Sequence, residues 1–385
     1  MKKVFYCIYA AIFAVMRLFP LKANKIVFLS PHNENFSDSL GAVMDEIIRR
    51  DEFKVVRISC DALTLNFKSV SGFFKGVGRA AAFFTVKIYH LATAKFIFMN
   101  DNFMPLAKLN FKPEAVITQL WHAEGVFKRF GFFIEQPPEV RSIEKACSEK
   151  LTYVVCSSEA VAPVYAEAFG VDESKVLPLG SARADYFLND KNSARLRAEF
   201  DSKYPECRGK AIVLYAPTFR DNPERDKHIL DGFDAASFNE RFGSKYALLY
   251  RLHPQVRTCK EKPSGAIDVG DYPNVGELIK IADVLITDYS SICMDFALME
   301  KPMYFYAFDL ENYEDERAFF FDYEAYVPGP VARDFQTLLN LINNNVADSY
   351  KKRSADFRML NFGREVGSAA EKIVDTIVYG KSYKN

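Results

Sequence analysis

Short apolar runs set between helix-like or turn-rich stretches recur along this chain from Lys25 onward, and that alternation leaves few folds open to it. Five runs come first, at Ile26–Leu29, Lys54–Ile58, Phe96–Met99, Ala115–Leu120 and Tyr153–Cys156. A charged stretch from Asp190 to Arg208 fills a break between Gly180 and Gly209, and five more runs follow at Ala211–Tyr215, Tyr246–Arg251, Ala266–Val269, Val284–Thr287 and Pro302–Tyr306. Such runs read as buried strands of open parallel sheets wrapped by helices. At 385 residues the chain is too long for one ordinary core. The predicted fold is therefore α/β, with two doubly wound, Rossmann-like domains facing across a cleft. The expected division is a helix over 1–22, a first domain over 23–190, a second over 205–355, and a last helix within 356–385 packing back across both. Ligands of such sheets sit beyond the carboxyl ends of the strands, which here means the cleft.

Charge excludes one class of partner. Fifty basic side chains balance fifty acidic ones, whereas a dedicated nucleic-acid binder carries a basic excess, so any anion recognition is local. The seven cysteines are scattered without a CxxC pair or metal-ligand spacing and predict reduced, buried thiols. A metal site has no signature, because Asp221, Asp288 and Asp295 are spread without a recognisable ligand pattern. A GxGxxG fingerprint and a Walker A loop are both absent.

Two segments predict contact with a lipid surface. Val4 to Phe19 is apolar except for Arg17, follows Lys2 and Lys3, and is shorter than the roughly 20 residues that span hydrocarbon. An interfacial or inserted anchor is expected there, ahead of a docked core helix and of a cleaved signal, since no small-x-small site is evident. Between Asp61 and Asp101 no acidic residue occurs, while Lys68, Lys75, Arg79, Lys87 and Lys95 alternate with phenylalanines, a composition suited to anionic lipid.

The chemistry-bearing residues follow strands. Leu285-Ile286-Thr287-Asp288-Tyr289-Ser290-Ser291 reads as a strand running into a helix capped by Ser290 or Ser291, whose open N–H groups suit phosphate. Ala216-Pro217-Thr218-Phe219-Arg220-Asp221 and Arg251-Leu252-His253-Pro254 each follow another apolar run. Arg220 and Arg251 can form bidentate contacts with phosphate oxygens, and Thr218 adds a hydroxyl. Asp288 can orient a neighbouring base, cap the helix or meet a ribose hydroxyl. His122 ends a strand in the first half and His253 one in the second, where an imidazole titrating near about pH 6.5 can take a proton from an attacking hydroxyl.

These residues together resemble the CDP-glycerol glycerophosphotransferase family of teichoic acid synthesis, in particular its primase-like members. The resemblance runs from about Lys25 to Pro330 through Asn24-Lys25-Ile26-Val27-Phe28, Gln119-Leu120-Trp121-His122, Lys128-Arg129-Phe130-Gly131, the three motifs above, Asp295-Phe296-Ala297, Phe320-Phe321-Asp322-Tyr323-Glu324 and Val327-Pro328-Gly329-Pro330. It implies a GT-B fold used for phosphoryl transfer: His122 as general base on an acceptor hydroxyl, attack at the β-phosphorus of a CDP-alditol, and CMP leaving. Arg220, Arg251, His253, Ser290 and Ser291 would stabilise charge on the diphosphate, and the cytidine would lie near Val269 to Asn274. The implied partners are CDP-glycerol, or CDP-ribitol, as donor and a polyprenyl-diphosphate-linked disaccharide as acceptor at the cytoplasmic face of the cell membrane, with no cofactor. More distant alternatives are a UDP-sugar glycosyltransferase or 2-epimerase on the same fold, or a silent binding module. The chain departs from the family where Trp-His-Gly-Thr-Pro becomes Trp121-His122-Ala123-Glu124-Gly125, and where Gly-x-Pro-Arg-x-Asp becomes Gly180-Ser181-Ala182-Arg183-Ala184-Asp185. The first departure leaves the acceptor open. Little room for an added N-terminal region implies transfer of one or a few units rather than long-chain synthesis.

Overall fold

The computed structural model describes residues 2–31, 36, 38–59, 82–220, 222–256, 259, 262–316, 318–364 and 366–383. It divides into two compact units, one of residues 1–125, 130–185 and 362–385, the other of residues 126–129 and 186–361. Most of the basic and aromatic stretch after Asp61, through Arg79, lies outside the described residues, as does Asp221.

The first unit holds a parallel sheet of β1 (Lys22–Ser30), β2 (Lys54–Ser59), β3 (Ala94–Met99), β4 (Val116–Gln119), β5 (Tyr153–Val155) and β6 (Val176–Leu177), in the order β2-β1-β3-β4-β5-β6. All five expected runs are strands of this sheet, and β6 joins them. Alternate side chains of a strand face opposite sides. Ile26 and Phe28 of β1 thus pack with Phe96 and Phe98 of β3 under the helix Ser39–Arg50, through Leu40, Val43 and Ile47. That helix starts on Asp38, whose carboxylate accepts from Leu40 N, and stops at Asp51, which adopts a left-handed φ of 54°.

The helix Ala369–Ile377 closes the same face with Ile373, Val374 and Ile377, so it belongs to the first unit. Asp185, the last residue of the Gly180-to-Asp185 motif, holds its start: the two carboxylate oxygens accept from Ala369 N at 3.0 Å and Ala370 N at 2.9 Å. Gly180 sits at φ +94°, and a Cβ there would come 3.0 Å from that of Ala369. Arg50 adds an ion pair to Asp375 at 2.5 Å.

Lys25 is fully buried in this unit, donating to Thr93 Oγ1 and lying 4.7 Å from the centre of the Tyr89 ring. Burial, then the charges of Lys22 and Lys54, lower its pKa from 10.5 to about 8. Below about pH 8 the folded chain therefore carries a desolvated charge that the unfolded chain keeps in water, and this cost fades as pH rises from about 8 to 10.5. Lys25→Met is expected to raise stability at pH 7 by about 1 kcal/mol, and the gain over wild type should shrink by pH 10. Urea melts at both pH values measure it; a gain that is constant or grows with pH counts against the assignment.

The N-terminal helix Lys2–Met16 docks on this unit through Tyr9 and Phe13, whose rings lie 5.7 Å from Phe103 and 4.8 Å from Phe111. Its other side leaves Val4, Ile8 and Val15 exposed, and Leu18 and Phe19 follow in the same state. No helix among the described residues is long and apolar enough to cross a membrane.

The second unit repeats the plan with β7 (Ala211–Ala216), β8 (Tyr246–Tyr250), β9 (Ile267–Asp268), β10 (Val284–Thr287), β11 (Met303–Tyr306) and β12 (Val331–Ala332), in the order β12-β11-β10-β7-β8-β9. Every pairing is parallel. Its core stacks Tyr215 on Phe233 at 3.9 Å and gathers Tyr250, Ile286, Tyr306, Phe335 and Leu338. From β7 the chain runs one way through β8 and β9, and then the other way through β10 to β12. The crevice where that direction reverses lies at the carboxyl ends of β7 and β10. Among the described cysteines, Cys147, Cys156, Cys207 and Cys293 are buried as expected, whereas Cys7 is exposed.

Candidate functional site

In the first unit, β4 ends at Gln119 and the chain turns sharply at Trp121, which takes a left-handed φ of 59°. For a bulky residue this conformation costs of order 1 kcal/mol or more and needs support. Gln119 Oε1 supplies it by accepting from Trp121 N at 2.9 Å, and the indole stacks on Phe130 at 5.4 Å and meets the edge of Phe169 at 5.1 Å. The turn presents His122 with nearly half of its side chain exposed, 46 %.

His122 Nδ1 lies 3.1 Å from the carbonyl of Asn100 and 3.7 Å from Asp101 Oδ2. A carbonyl only accepts, so Nδ1 carries the proton and the neutral ring keeps Nε2 as its basic nitrogen. That is the tautomer a general base needs. The segment after it is tied down: Tyr165 donates to the carbonyls of Ala123 and Gly125, Gly125 N donates to Ser157 Oγ, and Ser181 donates to Glu124.

In the second unit the expected ligands divide. Thr218, Arg220 and Asp288 come together at the β7–β10 crevice and all three are buried, at 5 %, 2 % and 1 % exposed. Arg220 donates from Nε and Nη2 to Asp309 at 2.8 and 2.9 Å and from Nη1 to the Thr218 carbonyl at 2.6 Å, and Nη1 also lies 3.0 Å from Asp288. The guanidinium sits about 5 Å from both the Tyr289 and Tyr313 rings. Burial opposes its charge, yet Asp288 and Asp309 outweigh that and raise its pKa. Burial likewise pushes the Asp288 carboxyl up, against the pull of Arg220. Asp288 also accepts from Thr218 N at 2.7 Å and Tyr289 N at 2.6 Å, so it fastens two strand ends to each other. The bidentate phosphate contact expected of Arg220 is thus made to Asp309 instead.

Arg251 is similarly engaged. Its Nη1 donates to the carbonyls of Val269, Gly270 and Tyr272, at 2.7, 3.1 and 2.8 Å, and shapes the loop where the cytidine was expected. His253 is exposed; its ring tilts over Phe219 at 4.7 Å and Nδ1 accepts from Gln255 N at 3.2 Å, which leaves the neutral ring's proton on Nε2. Ser290 is half-buried and Ser291 exposed ahead of the helix Ile292–Ala297, which has six residues. Ser290 Oγ accepts from Ile292 N at 3.4 Å, and Ser291 makes no capping bond. The helix expected after these serines is present and spans less than two turns. Among the described residues, no three His, Cys, Asp or Glu side chains are grouped to hold a metal ion.

Sequence reasoning gave no role to Asn100, Asp101 and Asp309, nor to Lys128, which it met only as part of a segment of family resemblance. The first three also follow strands, β3 and β11, which is the signal that singled out their neighbours.

Two six-stranded parallel sheets, each with its polar loops at the carboxyl edge, define a GT-B-type α/β fold. The solved wall teichoic acid polymerase TagF has that fold, with a TM-score of 0.75 at 22 % identity over 98 % of this chain and 95 % of that one. The family model for CDP-glycerol:poly(glycerophosphate) glycerophosphotransferase matches residues 11–379, and this chain belongs to that family. It is 32 % identical to the teichoic acid ribitol-phosphate primase of Bacillus spizizenii over 94 % of this chain and 92 % of the primase. It is also 32 % identical to the teichoic acid poly(ribitol-phosphate) polymerase of the same organism, over 95 % of this chain; the match spans 58 % of that polymerase's length.

Proposed function

We propose that this protein transfers an alditol phosphate from a CDP-alditol to a polyprenyl-diphosphate-linked acceptor in teichoic acid synthesis and releases CMP. The acceptor hydroxyl oxygen attacks the β-phosphorus, the bond from that phosphorus to the oxygen bridging to the α-phosphate breaks, and the hydroxyl proton passes to His122 Nε2. The observation that carries this reading is the Asn100 carbonyl against His122 Nδ1, which holds the imidazole as a base. The donor is assigned to the second unit, with Thr218, Ser290, Ser291 and His253 at its diphosphate and the loop held by Arg251 beside its cytidine. Arg220 and Asp288 hold that arrangement from behind. Transfer of this kind depends mainly on positioning and charge stabilisation.

Ribitol phosphate is the favoured cargo, supported by ribitol-phosphate relatives that match nearly all of this chain. Glycerol phosphate, expected from the sequence, is the second reading and is favoured by the family's description. CDP-ribitol, CDP-glycerol and UDP-GlcNAc, each offered with a lipid-linked disaccharide, separate the readings. CMP release with a CDP-alditol and acceptor together is the expected result; turnover with UDP-GlcNAc alone would overturn the reading.

Membrane attachment at the cytoplasmic face is proposed through the exposed apolar side of Lys2–Met16, supported by the size of that unpartnered face and the lysines that precede it. Val4→Glu, Ile8→Glu and Val15→Glu together place three carboxylates on it. The triple variant is expected to lose at least about tenfold in partitioning to anionic vesicles, measured by flotation, because each exposed aliphatic side chain contributes roughly 1 kcal/mol or more when buried in lipid. Unchanged flotation would move the attachment elsewhere.

A further inference from the structure

The second unit contains a short piece of chain from far upstream. Residues 126–129 belong to it although the residues on either side belong to the first unit. Val126 N donates to Asn361 Oδ1 at 2.9 Å and the Val126 carbonyl accepts from Tyr326 OH. Phe320 N donates to the Phe127 carbonyl, Arg129 N donates to the Ala318 carbonyl, and Lys128 forms an antiparallel bridge with Phe319. The backbone of Lys128 is thus fixed on both sides.

Its side chain reaches the β7–β10 crevice. Nζ lies 3.4 Å from Thr218 Oγ1 and 5.3 Å from the centre of the Tyr313 ring, in a half-buried position. Its charge also bears on Asp288 and on Cys293 in the first turn of Ile292–Ala297. Arg220, the cation expected at this place, is enclosed by Asp309, Asp288 and the Thr218 carbonyl, and Arg251 directs its Nη1 to three backbone carbonyls. A lysine ammonium on a four-carbon stem is a point charge suited to a phosphate.

We infer that Lys128 is the cation that meets the donor's diphosphate, with the Thr218 hydroxyl beside it, and that Arg220 acts as a positioning residue behind them. This inference rests on the proposed CDP-alditol reading. It goes further by assigning the diphosphate's charge partner to a residue outside the second unit's own sequence run.

Calorimetry on the full chain tests it with CDP and with cytidine, which lacks phosphate, against wild type, Lys128→Gln and Lys128→Arg. Lys128→Gln is expected to weaken CDP binding about thirtyfold, roughly 2 kcal/mol at 1.4 kcal/mol per factor of ten, while cytidine affinity and melting temperature hold. Lys128→Arg should recover most of the loss. Unchanged CDP binding in Lys128→Gln would overturn the inference alone, as would an equal loss for CDP and cytidine, which marks a merely structural role. Wild-type chain that fails to bind CDP would overturn the proposed function and this inference together.

Discussion

His122→Ala is expected to lower the rate of CMP release at saturating donor and acceptor by about a thousandfold, the middle of the range for loss of a general base, while CDP affinity stays within twofold. The expectation rests on four contacts. The left-handed turn at Trp121, backed by Gln119 and by two phenylalanine rings, aims the imidazole. The Asn100 carbonyl keeps the proton on Nδ1, so Nε2 is open to the acceptor hydroxyl. The base acts only when that proton moves, so its removal should appear in kcat and not in nucleotide binding. A variant with weakened CDP binding and an unchanged rate at saturation would remove His122 from that role.

The second large effect concerns folding. Arg220→Ala is expected to destabilise the second unit by about 3–5 kcal/mol, because removing one partner of a buried ion pair leaves the other charge desolvated. Two carboxylates would be affected here, with Asp288 almost wholly enclosed and Asp309 held on the guanidinium fork. Arg220→Lys keeps the charge but cannot form that fork, and an intermediate loss is expected. Urea denaturation of the three proteins measures it. A loss below about 1 kcal/mol for the alanine variant would mean that Arg220 faces solvent or ligand, as the sequence had suggested, because exposed pairs contribute at most about that much.

Why the sequence carried so much of the fold, and less of the site, is visible in single residues. Parallel strands covered on both faces are nearly continuous apolar runs, so Ile26–Leu29 and Val284–Thr287 stood out. Val176–Leu177 and Val331–Ala332 are two residues each, too short for any periodicity to mark. Position after a strand located Thr218, Arg220, Arg251 and His253 at a sheet edge. It did not reveal which side chains face outward, because that depends on partners distant in sequence: Asp309 lies 89 residues beyond Arg220 and takes its fork. The same distance hid Lys128, whose neighbour Thr218 is 90 residues on. Ser290 and Ser291 were read as caps of the helix that follows; Ser291 does stand at its N-cap, but its side chain makes no capping bond, which the residue type alone does not reveal.

The most direct test of the central claim uses a CDP-alditol carrying 32P only at the β-phosphate, incubated with the protein and a lipid-linked disaccharide in vesicles. Transfer of the alditol phosphate predicts that the label enters the lipid fraction and that the released CMP is unlabelled. Label remaining on a released CDP would show that the bond to the alditol carbon side had broken instead, and would contradict the account.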